Sequence, residues 1–142
     1  MSFWASGGRR PPGRTVSRAV LDASAVLALL FGEEGGERVA PRVPEALISA
    51  VNVTEVAGKL LDRGIPEDGV TATLAPRRYE VAPFDGELIM LTASLRPRTR
   101  ALGLSLGDRA CLALGVFYGL PVITADSAWS RLDLGITVEV IR

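Results

Sequence analysis

Residues 105–126, SLGDRACLALGVFYGLPVITAD, decide the fold class. Ser105 and Asp108 have the S-x-x-D spacing of a capping box, in which each side chain takes a free N–H of the first helical turn. An almost unbroken apolar run then reaches Tyr118 and stops at Gly119, so a helix over 105–118 is predicted. After Leu120 the stretch PVIT, 121–124, reads as a short buried strand. An apolar helix feeding a short apolar strand is the repeating unit of a parallel sheet. Asp126 stands just beyond that strand, on the rim where open α/β sheets bind ligands.

The alternation continues in both directions. Upstream, 19–22 is a strand ending in Asp22, 23–31 a helix and 35–42 a second short helix. A strand at 46–49 leads to a helix over 51–63, ended by Gly64. Pro66 suits the first position of a helix over 66–75. A strand at 79–82 and a helix at 85–95, begun by Asp85 and stopped by Pro97, complete that half; 137–141 is the last strand. Five strands separated mainly by helices predict an α/β fold: a doubly wound parallel five-stranded sheet with helices on both faces. Residues 1–18, with four arginines, no acid, and Gly-Gly and Pro-Pro pairs, read as a flexible basic tail. A single domain is expected over 19–142.

Composition narrows the chemistry. The chain has 142 residues, 48% of them apolar, enough for one core. No apolar run approaches a membrane span and no signal-peptide pattern occurs, so a cytoplasmic protein is expected. A single cysteine, Cys111, excludes an intrachain disulfide, and burial in the core accounts for it. The absence of histidine removes Ser-His-Asp and Cys-His catalysis and the usual zinc sites. What remains is carboxylates, hydroxyls and Arg, with an oxygen-seeking ion such as Mg²⁺ or Mn²⁺. The net charge of zero is uneven: setting aside the four tail arginines leaves 12 basic against 16 acidic residues, a net of −4. Binding nucleic acid by charge alone would call for a basic body; a metal-centred acidic site would not.

Four acids fall where ligands would bind. Asp22 and Asp126 follow strands, and Glu55 and Asp108 are expected in the first turns of helices. Each has a structural alternative: Asp22 and Asp126 as turn or cap residues, Glu55 as partner of an Asn52 cap, Asp108 as partner of Ser105. Together on one rim they would repel one another unless a divalent cation intervened.

In order and spacing, LDASAVLALL (21–30), SAVNVTEV (49–56), LSLGDRACLAL (104–114) and VITADSAW (122–129) resemble the successive motifs of PIN domains, particularly those of VapC toxins. The resemblance covers about 19–142. It implies sheet order 3-2-1-4-5 and an acidic Mg²⁺ or Mn²⁺ site of Asp22, Glu55, Asp108 and Asp126. It further implies endoribonuclease activity leaving 5′-phosphate and 3′-hydroxyl ends, a VapB-like antitoxin over the acidic site, and a homodimer. Helices 23–31 and 51–61 would supply the antitoxin groove.

Supporting roles are open. Ser24 orients a carboxylate or caps its helix. Thr124 contacts phosphate or a water beside the metal, or simply ends a strand. Asn52 reads as a cap before a substrate contact, Arg109 as a solvated arginine or a phosphate contact, Asp133 as a turn residue before an outer acid. Trp4 belongs to the tail, and Trp129 is expected to pack over a strand end rather than stack a base. Two other readings compete. A receiver-like phosphotransfer domain would need an Asp after strand three and a late lysine, but Ala82-Pro83 ends that strand and Lys59 is the last lysine. A non-catalytic interaction module, its acids only capping helices, would need no divalent ion.

Overall fold

Five short strands, β1 (Ala19–Leu21), β2 (Ala46–Ser49), β3 (Glu80–Ala82), β4 (Val122–Thr124) and β5 (Val138–Val140), form one sheet in the order β3-β2-β1-β4-β5. All four pairings are parallel, with Val20 opposite both Leu47 and Val122. This computed structural model describes residues 18–76 and 78–142. The order differs from the 2-1-3-4-5 of flavodoxin-like receivers, which sets aside the phosphotransfer reading.

The described residues form seven helices: α1 (Ala23–Phe31), α2 (Gly36–Val39), α3 (Ala50–Asp62), α4 (Glu67–Thr73), α5 (Glu87–Ser94), α6 (Arg96–Thr99) and α7 (Leu106–Tyr118). Strand side chains alternate between the two faces of the sheet. Val20, Leu47 and Val122 point to one face and pack with Leu88 of α5 and Leu112 of α7. Ala19, Leu21, Ala46, Ile48 and Ile123 point to the other and pack with Ala25 and Ala28 of α1 and Val39 of α2. Helices therefore cover both faces, as two-sided burial of the strands requires. A smaller cluster of Val56, Leu60 and Val70 joins α3 to α4. None of the described helices is long and apolar enough to cross a membrane.

Helix α7 is the central buried helix, with Cys111 and Leu112 fully inaccessible. It comes close to β4 at Gly115, where a Cβ would stand 2.5 Å from Val122 Cγ2. The expected capping box is formed: Asp108 N donates to Ser105 Oγ at 3.1 Å, and Ser105 N to Asp108 Oδ2 at 2.9 Å. The helix ends at Gly119 with φ 66°.

Several boundaries differ from the sequence reading. The helix expected over 35–42 is only the single turn of α2, followed by a 3-10 segment (Ala40–Glu45). Pro41 and Pro44 lack the N–H that an α-helix would need there. Pro66 is the N-cap of α4 rather than its first residue. Asp85 precedes α5 by two residues, its carbonyl accepting from Leu88 N. Pro97 stops nothing: it lies in the first turn of α6, where a missing N–H costs little. Arg18, assigned to the tail, is 4% exposed and pairs with Glu80 Oε1 at 3.2 Å, so the domain includes it. Trp4 and residues 1–17 lie outside the described residues.

Candidate active site

Asp22 follows β1, the central strand, and occupies the N-cap position of α1 without capping it. The residue is 3% exposed. Oδ2 accepts from Ser24 Oγ at 2.6 Å and from Thr124 Oγ1 at 2.9 Å. Among the described residues no hydrogen bond reaches Oδ1. Ser24, besides serving Asp22, accepts from Ala125 N at 2.9 Å, and Thr124 accepts from Asp126 N at 3.1 Å. These two hydroxyls thus join the end of β1 to the end of β4. Both orient the Asp22 carboxylate: for Ser24 this is one of the two roles open to it, and for Thr124 it is a role the sequence did not suggest.

Burial without a cationic partner disfavours the charged form, and Asp22 is pushed up from its ordinary 3.8 to about 6. Desolvation is the main cause; the Ser24 and Thr124 hydrogen bonds oppose it, and the charges of Asp108 and Glu55 add to it. The same three acids act on Cys111, whose thiol burial already pushes well up. Asp22, Glu55 and Asp108 therefore lie close enough for their fields to overlap beside the start of α7.

Glu55 is exposed and sits in the second turn of α3, not the first, because the helix begins at Ala50 with Ser49 as N-cap. Ser49 Oγ accepts from Val51 N at 3.2 Å, a role the sequence reading gave to Asn52. Asn52 is instead fully buried inside the helix. Its Nδ2 donates to Glu55 Oε1 at 2.9 Å and to the Gly107 carbonyl at 3.1 Å, tying α3 to α7. A Cβ at Gly107 would stand 2.3 Å from Glu55 Oε1, so only glycine leaves room for this carboxylate. The sequence reading missed Gly107; its one signal was a helix-disfavouring residue inside a first turn, between Leu106 and Asp108.

Asp126 is exposed and caps the 3-10 turn Ser127–Arg131, its Oδ1 accepting from Ala128 N at 3.0 Å. It connects to Asp22 through its backbone N–H and the Thr124 hydroxyl. Asp133 is exposed in the segment between the 3-10 turn and β5, and its carbonyl accepts from Arg98 at 2.9 Å. Trp129 is fully buried in the core, which leaves it no face for a base. Arg109, expected to be solvated unless it met phosphate, is only 8% exposed.

A family model described as PIN domain matches residues 19–134. The chain belongs to the PIN domain family. Among solved structures, this PIN domain is similar to a chain of DNA-bound VapBC from Salmonella typhimurium, with TM-score 0.67 and 19% identity over 88% of this chain and 98% of that one. It is also similar to a chain of a toxin-antitoxin complex from Klebsiella pneumoniae, with TM-score 0.68 and 17% identity over 87% and 98%. A third is VapBC-5 from Mycobacterium tuberculosis, with TM-score 0.56 and 24% identity over 89% and 98%. No curated protein sequence gives a significant match.

The donor chemistry suits Mg²⁺ or Mn²⁺, since every candidate ligand is an oxygen and the buried Asp22 carboxylate has no cationic partner among the described residues. With the side chains as they stand, no set of three or more acids, histidines or cysteines among the described residues is close enough to hold an ion. Two of the four acids are engaged in caps, Asp108 with Ser105 N and Asp126 with Ala128 N.

Proposed function

We propose that this PIN domain is a Mg²⁺- or Mn²⁺-dependent endoribonuclease and the toxin of a VapBC-like pair. The observation carrying the proposal is Asp22: a buried carboxylate at the end of the central strand, held by two hydroxyls and capping nothing. Capping alone explains Asp108 and Asp126 as they stand, but it does not explain an acid kept out of water at that position.

Asp22 would hold the ion, with Glu55, Asp108 and Asp126 completing its ligands directly or through water. When bound, the ion supplies a Lewis acid that makes water more acidic and offsets charge on the phosphodiester. The protein's part is positioning. Ser24 and Thr124 fix the plane of the Asp22 carboxylate, and Asn52 fixes Glu55 through Oε1. Glu55 Oε2 then accepts the proton of the attacking water. In-line attack breaks the bond from phosphorus to the 3′ oxygen, which takes a proton from solvent water, and leaves 5′-phosphate and 3′-hydroxyl ends.

The antitoxin reading is supported by the similar structures, which are toxin–antitoxin complexes, and by an apolar pocket of about 100 Å³ between α1 and α3. Val26, Leu29, Leu30, Val53 and Val56 line it. A partner helix could add its apolar side there. Incubation of the purified chain with single-stranded RNA in Mn²⁺, followed by end-group analysis, tests the nuclease. Cuts bearing 5′-phosphates, absent in EDTA, are expected; RNA intact in both buffers refutes it.

A further inference from the structure

Arg109 is the first residue after Asp108 in α7, and its burial is unusual. An arginine is seldom this enclosed without a carboxylate. The Arg109 nitrogens are not among the fully buried unpartnered atoms of the described residues, so they open to solvent. Yet among the described residues the Arg109 side chain has no hydrogen bond, ion pair or ring contact. It lines a pocket of about 300 Å³ together with Arg96, Thr99, Arg100, Gly103 and Leu104. None of these lining residues is acidic. Thr99 spends its hydroxyl on the Leu95 carbonyl at 2.9 Å, and Arg98 is turned away onto the Asp133 carbonyl, which leaves three arginines as the charged residues of the lining. Proline at 97 starts α6, and the RPRTR run over 96–100 delivers Arg96 and Arg100 to one side.

Three arginines with no acid among them, Arg109 enclosed and Arg96 and Arg100 exposed, make a basic pocket suited to an anion. The planar fork of guanidinium matches phosphate oxygens, and an anion in the pocket would offset the like charges around it. The net charge of −4 over 19–142 makes this local basic concentration stand out from the domain around it. Arg109 follows Asp108 in the sequence of α7 and lies about 100° around the helix axis from it, so the pocket flanks the same helix end that carries Asp108.

We propose that this pocket binds a backbone phosphate of the RNA strand next to the one being cut, with Arg109 as the buried anchor and Arg96 and Arg100 as its outer contacts. This inference rests on the nuclease reading for the direction of the strand but concerns binding, not the chemical step. It gives the acidic site a fixed register on RNA without any contact to a base.

The test is fluorescence anisotropy with a labelled 2′-O-methyl single-stranded RNA, which resists cleavage, titrated with the full chain at several salt concentrations. Arg109→Gln should raise Kd about tenfold, the usual value of a hydrogen bond to a charged group. Arg100→Gln should raise it several-fold. Each should flatten the slope of log K against log salt by about 0.7, the change expected when one phosphate fewer is neutralised on a single strand. Arg38→Gln, an exposed arginine on α2, should change neither. If Arg109→Gln fails to fold, Arg100→Gln alone carries the test. Unchanged Kd in Arg100→Gln and in folded Arg109→Gln overturns the proposal, and so does an equal loss in Arg38→Gln. Failure of the nuclease reading looks different: wild-type chain that never cuts RNA in Mn²⁺, while both pocket variants still lose affinity, refutes the nuclease and leaves the pocket standing.

Discussion

Replacing Asp22 by Asn should stabilise the protein in the absence of divalent ions. Asn has nearly the same shape, and its Oδ1 can still accept from Ser24 and Thr124. What it removes is a negative charge that burial makes unfavourable. The folded carboxyl titrates at about 6 against 3.8 in its ordinary state, so the folded chain holds a proton that the unfolded chain has already lost between those values. Stability from this group is complete below pH 3.8 and disappears as pH rises through 6. A shift of about 2 pH units corresponds to about 3 kcal/mol at neutral pH. In EDTA at pH 7.5, Asp22→Asn should therefore be more stable by about 3 kcal/mol, or roughly 10 °C in Tm for a domain of this size. At pH 4.5 the advantage should shrink to about 1 kcal/mol. Saturating Mn²⁺ should narrow it at pH 7.5 as well, by stabilising the wild type through mass action. Urea and thermal melts followed by circular dichroism measure all three quantities. A variant less stable than wild type at pH 7.5 in EDTA, or a difference that does not change with pH, would refute the reasoning.

Three further substitutions probe the supports of the site and the core. Gly107→Ala should fold, since only the end of a flexible side chain must move. It should displace Glu55 and raise the Mn²⁺ concentration that half-saturates the thermal shift by about tenfold; an unchanged midpoint would remove Glu55 from the ligand set. Asp108→Ala in EDTA should lose about 1 kcal/mol in a urea melt, because the capping box outweighs relief of repulsion on Asp22. A stabilised Asp108→Ala would mean that repulsion dominates there. Gly115→Ala should cost about 1–3 kcal/mol by forcing α7 from β4, and a melt within experimental error of wild type would show that the close approach yields freely.

The parallel sheet is legible in the sequence because each strand is a short apolar run buried on two sides and each long helix carries its own stop signal. Asp22, Asp108 and Asp126 are legible by place, since a residue after a strand or opening a helix has few positions to occupy; Glu55, expected in a first turn, lies in the second because Ser49 caps α3. Less visible are features that depend on two distant segments meeting. Nothing local announces that Asn52 crosses to the Gly107 carbonyl, and the Asn-x-x-Glu spacing suggests a cap that Ser49 supplies. Arg18 looks like part of a basic tail because its partner Glu80 is 62 residues away. Arg109 follows an acid in an exposed-looking first turn, and only the return of the RPRTR segment over it produces a pocket. The short helices around Pro41, Pro44 and Pro97 escape a local reading because proline ends an α-helix from within yet begins one readily.

The central claim is that Asp22 organises a metal-dependent ribonuclease site. It is tested most directly by following cleavage of one single-stranded RNA by wild type and Asp22→Asn, each at saturating Mn²⁺ and in EDTA, with folding of both proteins verified by melts. The account predicts cleavage only by wild type with Mn²⁺ and a loss of at least about a thousandfold in the folded variant, in line with removal of a group essential to metal catalysis. Wild-type-like turnover by Asp22→Asn at saturating Mn²⁺ would contradict it.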